Sequence, residues 1–347
     1  ALGVALLALD QAAEAEDAML SGLASHPDHP ALSLLLGHAR TALEKTDQAR
    51  VDYGKFRRQA AGLVAQADEL VLTGRLVEAE HAYGQLISTD GDNAAAHAGL
   101  GRLLLRLKRP AEALPALERA LELNPQDHNS QHFIGLARGE PGERAEPAYV
   151  QALFDDYADE FESHLTEELG YRIPEEMAER LLDYQADLSR VLDLGCGTGL
   201  MAEALADRFE KMDGVDLSPR MLKQARASGR YASLSQNDVV NYLRKADQRW
   251  STVLAADVLV YVGELEPLVE PLAKRLESGG WFAFSIELSA GETCLLDPAT
   301  GRFRHHPDGV DKLLIKKGFS APRWSMTTIR QEMGKRIPGA IGLAQRL

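Results

Sequence analysis

The chain has 347 residues, enough for about two domains that each bury a core. Its net charge of -14 argues against nucleic acid as the main partner, because phosphate binding needs clustered Lys and Arg. Two cysteines, Cys196 and Cys294, supply neither a disulfide framework nor a metal set, which fits a reducing cytoplasm, and no apolar run approaches the roughly 18 residues of a membrane span.

Residues 1–9 are apolar but lack the basic start of a signal peptide, and they read as a helix inside an internal period. Leu2-Gly3 recurs as Leu36-Gly37, and Ala15, Met19 and Pro27 find echoes in Ala49 and Tyr53. A second pairing is clearer and has the same spacing: Ala79 and Tyr83 align with Ala113 and Leu117, with Leu100-Gly101 opening the later unit and Asn124-Pro125 closing it. The spacing is that of a repeat of about 34 residues. Units fall at 1–29, 30–59, 60–93 and 94–127, the second short by four residues. The period and these small-large positions resemble tetratricopeptide repeats, helix-turn-helix units that bury one stripe by stacking on neighbours. The resemblance implies an all-α solenoid over 1–138 whose concave surface binds a protein or peptide, with a homo-oligomer contact or rigid scaffold as the alternative. Because the first unit lacks its beginning, the natural protein is expected to continue upstream.

Residues 139–147, rich in Gly, Pro and Glu, read as a linker. Residues 148–185 then read as a helical segment carrying Tyr157, Phe161, His164 and Tyr171. An apolar strand follows, and Val191-Leu192-Asp193-Leu194 delivers Gly195-Cys196-Gly197-Thr198-Gly199 into a turn that opens a helix over 200–207. A side chain at Gly195 or Gly197 would hold the backbone away from a ligand, which is the physical use of such a loop. Asp216 ends the next strand, at a distance along the chain from Asp193 that places it to accept both hydroxyls of a ribose. Asp238 follows a strand over 231–235, and Asp257 follows the apolar run 252–254. Four loops at the carboxyl ends of four consecutive strands are where an open α/β sheet binds its ligand.

The third glycine of the loop comes one residue earlier than in the dinucleotide fingerprint Gly-x-Gly-x-x-Gly, and Asp193 is foreign to that fingerprint. Both features match the first motif of class I S-adenosylmethionine-dependent methyltransferases, which this region resembles. From the glycine loop to Leu347, with the helical segment before it, the chain is similar to bacterial proteins in which tetratricopeptide repeats precede such a domain. That resemblance implies a Rossmann-like α/β domain with a seven-stranded sheet over 148–347, and S-adenosyl-L-methionine as cofactor with S-adenosyl-L-homocysteine as product. It implies that Asp193 faces the methionine ammonium, directly or through water, that the amides around Gly195, Cys196 and Gly197 meet its carboxylate, and that Asp216 takes the ribose diol. Leu217, Met221 and Val239 would sandwich the adenine with Asp238 at its edge, and Asp257 would lie beside the methionine and reacting methyl. Met221 also lies on the buried stripe of the 219–227 helix, so a plain core role fits it equally. The 148–185 segment is expected to fold over the cofactor as a lid, closed by Tyr157, His164 and Tyr171.

A helix over 265–276 and a fifth strand over 280–286 continue the domain, and 324–330 with 340–346 read as a closing antiparallel hairpin. Residues 289–308 read as a long irregular insert ending in Arg302-Phe303-Arg304-His305-His306, on the ligand edge and assigned to the acceptor substrate. If the acceptor has a proton to lose, His164, His305 and His306 are the candidate bases. The adjacent histidines have no third ligand at a convincing spacing, so no metal is expected.

Overall fold

In a computed structural model, the structure describes every residue except 1, 141, 159–169, 207, 292–293 and 333–334, with the side chains of Asp156 and Tyr157 also outside the description. By packing, the chain divides into residues 1–130 and 131–347.

The first unit is helical: α1 (Leu2–Ala8), α2 (Ala12–Ser25), α3 (Pro30–Ala42), α4 (Thr46–Leu72), α5 (Leu76–Thr89), α6 (Ala94–Arg106) and α7 (Pro110–Leu123). The small-large positions of the repeat explain how the helices approach each other. Gly3 lies against Met19, Gly37 against Tyr53 and Gly101 against Leu117, and a methyl group built on Gly37 or Gly101 would come within 2.7 Å or 2.5 Å of those side chains. The three pairs share one spacing, which sets one helix against the next. The third unit departs from this pattern. Ala67, fully buried, stands at that spacing before Tyr83 where the others have glycine, and it follows Gly37 four positions too soon for the repeat period. The four missing residues are those of an inter-repeat turn. Without a turn the second helix of one repeat and the first helix of the next continue as a single 27-residue helix, α4.

α8 (His128–Ala137) spans the division, and the second unit is built on a seven-stranded sheet. Its strands are β1 (Arg190–Leu194), β2 (Lys211–Asp216), β3 (Ser233–Gln236), β4 (Trp250–Ala255), β5 (Leu276–Glu287), β8 (Arg323–Glu332) and β9 (Lys335–Gln345). They lie in the order β3-β2-β1-β4-β5-β9-β8, with β1 to β5 mutually parallel and β9 antiparallel to both its neighbours. All six residues of β4 are buried, as expected of a central parallel strand covered on both faces. One face packs Val240 and Leu243 of α13 (Val239–Lys245), Leu268 and Leu272 of α14 (Glu266–Arg275) and Leu314 of α15 (Pro307–Lys316). The other packs Ile173, Met177 and Leu181 of α10 (Ile173–Asp183) and Met201 of α11 (Leu200–Ala204). α12 (Pro219–Ala227) follows β2, with Ser218 as its cap: the hydroxyl accepts from the Met221 amide at 3.0 Å.

The long insert after β5 is not irregular throughout. It contains a second small sheet, β6 (Leu295–Asp297) paired antiparallel with β7 (Arg302–Arg304) through a tight turn at Asp297–Gly301. Glu143 and Ala145 of the expected linker are fastened to the segment after β4: the Ala145 amide donates to the Tyr261 carbonyl at 2.9 Å and the Glu264 amide to the Glu143 carbonyl at 2.8 Å. α9 (Pro147–Tyr157) comes next in the chain. No helix among the described residues is long and apolar enough to cross a membrane.

Candidate functional site

The carboxyl ends of β1, β2, β3 and β4 carry the four predicted loops. Gly195 has φ +65° and a side chain on it would meet Val258 at 2.6 Å, so both the backbone and the neighbour demand glycine. Gly199, with φ +111°, opens α11 directly under Tyr231. Cys196 donates its amide to the Val215 carbonyl at 3.0 Å, and burial, with the charges of Asp193 and Asp216, pushes its thiol well above the usual range. It is a packed, protonated loop residue. Thr198 is 4% exposed and its hydroxyl has no hydrogen-bond partner among the described residues, so a buried polar atom at the loop awaits one.

Asp216 binds the loop to the next turn. One carboxylate oxygen accepts from the Gly197 amide at 2.9 Å, the other from the Ser218 amide at 2.8 Å, and burial raises its carboxyl against those bonds. Asp193 is 1% exposed and accepts from the Tyr231 hydroxyl at 2.7 Å. Burial raises its carboxyl, the Tyr231 bond opposes this and Asp216 adds to it, leaving Asp193 pushed up to about 7. Leu217 and Val239 are half-buried at the same edge. Met221 is fully buried on the inward stripe of α12 with Leu222 and Ala225, the core placement its spacing also allowed.

Asp238 caps α13, accepting from the Asn241 amide at 3.0 Å, and its other oxygen accepts from Arg144 at 2.9 Å. Arg144 belongs to the expected linker, and α9 beyond it crosses two further loops. Phe154 meets the Tyr261 ring edge-on at 5.7 Å, the Ser218 hydroxyl donates to Asp155 at 2.6 Å, and Gln224 donates to the Ala158 carbonyl at 2.6 Å. His164 and the Tyr157 side chain lie outside the described residues. Tyr171 is buried, and burial, then the charge of Asp257, keeps its hydroxyl protonated.

Asp257 has φ +57°, donates its amide to the Ser285 hydroxyl at 2.8 Å and accepts from Arg330 at 3.1 Å. Arg330, 3% exposed, is the hub of a buried charge network. It donates to Glu287 and, at 2.7 Å, to Glu332. Arg302 pairs with Glu332, and Arg304 lies 3.6 Å from Glu287 and 2.7 Å from Asp297. Burial raises the Glu332 carboxyl, but Arg302 and Arg330 overcome it and hold it at about 2. A bulge in β8 between Thr328 and Arg330 makes this possible, since it lets Ile329 and Arg330, consecutive residues, both be buried.

Both histidines of the insert make structural contacts. His305 is 3% exposed, its ring nitrogen is 3.1 Å from the Leu259 carbonyl, and burial lowers its pKa, so it stays neutral and structural. His306 caps α15, accepting from the Asp308 amide at 3.3 Å. The enclosed His305 is not disposed as a base. Sequence reasoning missed Tyr231, Glu287, Arg330, Arg144 and Asp155. Glu287 alone left a trace, an acid closing the apolar run Phe282 to Ile286. No group of three or more His, Cys, Asp or Glu among the described residues is arranged to hold a metal.

Two family models match this chain, a methyltransferase domain over residues 191–280 and a tetratricopeptide repeat over residues 70–134. The sheet unit has a Rossmann-like methyltransferase fold. The repeat match covers α5, α6 and α7, while the methyltransferase match begins in β1 and ends in β5. Similar curated proteins include the ubiquinone biosynthesis O-methyltransferase of Thiobacillus denitrificans, 32% identical over 112 residues, which are 30% of this chain and 48% of that protein. The protein of the same name from Idiomarina loihiensis is 34% identical over 100 residues, 28% of this chain and 41% of that one. The chain thus spans less than half the length of these relatives. Among solved structures, magnesium protoporphyrin IX methyltransferase from Synechocystis PCC 6803 with bound SAM aligns at TM-score 0.44 and 16% identity, over 58% of this chain and 97% of that one. A methyltransferase from Thermotoga maritima described as a possible histamine N-methyltransferase aligns at TM-score 0.44 and 16% identity, over 57% and 100%.

Proposed function

We propose that the protein is a bacterial, cytoplasmic S-adenosylmethionine-dependent methyltransferase of two domains, 1–138 and 148–347, whose repeats recruit a protein, peptide or carrier-bound acceptor. The observation that carries the cofactor reading is the loop Gly195 to Gly199, with glycine at every second position, set between the buried Asp193 and half-buried Asp216 carboxylates at adjacent strand ends. The residues present fit the cofactor. Asp193 suits an ammonium, the orphaned Thr198 hydroxyl suits a carboxylate, and Asp216 has a lone pair left on each oxygen for a ribose diol after accepting from the loop amides. Leu217 and Val239 offer apolar flanks for an adenine, and the Asp238 carboxylate, held in orientation by Arg144 and its own helix, offers an acceptor to the amino group.

The bound cofactor supplies a methyl group already attached to a good leaving group, so the chain's task is alignment. We assign Asp257 to the neighbourhood of the methionine and the reacting methyl, and the Arg330 network ties its loop after β4 to Glu287 at the end of β5. We assign closure of the site to Tyr157 and His164, with His164 as the base where an acceptor proton must leave. The names of the curated relatives favour a second reading, a small-molecule O-methyl acceptor, with the repeats serving as oligomer contacts.

The two readings separate on removal of residues 1–127. The recruiting role requires that cofactor affinity persist while kcat/KM for the physiological acceptor falls, because remote binding surface is lost. Unchanged kcat/KM would leave the repeats as scaffold. The acceptor itself is to be found by capture on the full chain, followed by mass spectrometry for added methyl groups on incubation with the cofactor.

A further inference from the structure

We propose that Tyr231 is a positioning residue of the cofactor site, holding the Asp193 carboxylate ionised and aimed so that it can receive a ligand's ammonium group. The inference rests on the cofactor reading above. Tyr231 stands 38 residues beyond Asp193 in sequence, in the lead-in to β3, two strands away from β1 in the sheet. Its hydroxyl nevertheless reaches Asp193 at 2.7 Å, and its ring is seated where two glycines leave room. A side chain at Gly199 would lie 3.2 Å from the ring and one at Gly214 2.9 Å from it. The ring therefore packs on the glycine loop and on β2 at once, while its hydroxyl meets the one buried acid of β1.

The donor cannot be lost to ionisation. Burial, and then the negative charge of Asp193, push the Tyr231 phenol far above its ordinary value, so it remains a hydrogen-bond donor throughout the stable pH range. The groups facing Asp193 from the packed elements are Tyr231 before β3, Asp216 at the end of β2, Cys196 in the loop and Tyr171 before α10. Of these the Tyr231 hydroxyl is the group that favours the charged acid; Asp216 and burial disfavour it. With Asp193 at about 7, a fraction of the free protein holds it protonated near neutral pH. An ammonium ligand binds the ionised form, so binding releases a proton below that value and tightens as pH rises through it.

The test is titration of the full chain and of Tyr231→Phe with S-adenosylhomocysteine, which keeps the ammonium, from about pH 5.5 to about pH 8.5. Phenylalanine retains the ring against Gly199 and Gly214, so packing is conserved. The expected result is affinity lowered about fivefold at pH 7 and about tenfold at pH 5.5, with the midpoint of the pH profile moved upward by about one pH unit and the loss recovered at the alkaline end. A loss of equal size at every pH, or no loss, would overturn the proposal, because a merely structural tyrosine does not move the profile. A second arm uses Asp193→Asn, in which the pH dependence should vanish and addition of Tyr231→Phe should change nothing further. If the native chain fails to bind at any pH, the cofactor reading itself falls and this inference falls with it.

Discussion

Replacing Asp216 with alanine is expected to weaken S-adenosylmethionine binding by at least about 100-fold. A hydrogen bond to a charged group contributes about 1.5–3 kcal/mol, and each 1.4 kcal/mol is tenfold in affinity. The carboxylate has two jobs. It offers acceptors to a diol, and it already accepts from the Gly197 and Ser218 amides at 2.9 Å and 2.8 Å, which holds the glycine loop against the turn into α12. Removing it loosens the loop as well as the ribose contact. Calorimetric titration checks the affinity, and a melting curve without ligand checks that the fold survives. A change of less than about threefold would mean that Asp216 serves the loop only.

Glu287→Ala is expected to destabilise the second unit by about 3 kcal/mol, the lower end of what breaking a buried ion pair costs. Glu287 is 2% exposed and is hydrogen-bonded to Arg330, itself 3% exposed, so alanine takes a carboxylate from a cation that has already left water. Arg330 keeps Asp257 and Glu332, which is why the effect stays at the lower end. The urea midpoint should fall accordingly, and a midpoint unchanged from the native chain would show that the network does not bear on folding. The same network makes stability sensitive to acid. Glu332 is held below its ordinary 4.5, so its contribution is complete above that value and is lost as pH falls towards about 2.

The parts of this protein legible in its sequence are those set by local chemistry. Positive φ at Gly195, Gly197 and Gly199 forces glycine into the loop, and an acid at a strand end declares itself against an apolar run. The repeat period survives because each glycine or alanine of one helix must admit a large side chain of the next. What escaped has non-local causes. Tyr231 and Asp193 meet across the intervening β2 because Gly214 leaves room for the ring, a fact of topology rather than spacing. Arg330 turns inward only because a bulge breaks the alternation of β8, and a bulge leaves no mark in a polar-apolar pattern. His305 reads as a base in sequence, yet the fold encloses it against a backbone carbonyl. The loss of four residues before the third repeat was visible as a shortened unit, but its result, one continuous α4, follows from the missing turn.

The central claim is that the loop between Asp193 and Asp216 holds S-adenosylmethionine, and its most direct measurement is isothermal calorimetry of the full chain with that cofactor, with S-adenosylhomocysteine and with NAD. The expected result is saturable binding of the first two, lost in Asp216→Ala, with no competition from NAD. Binding of NAD alone, or of none of the three at millimolar concentration, would contradict it.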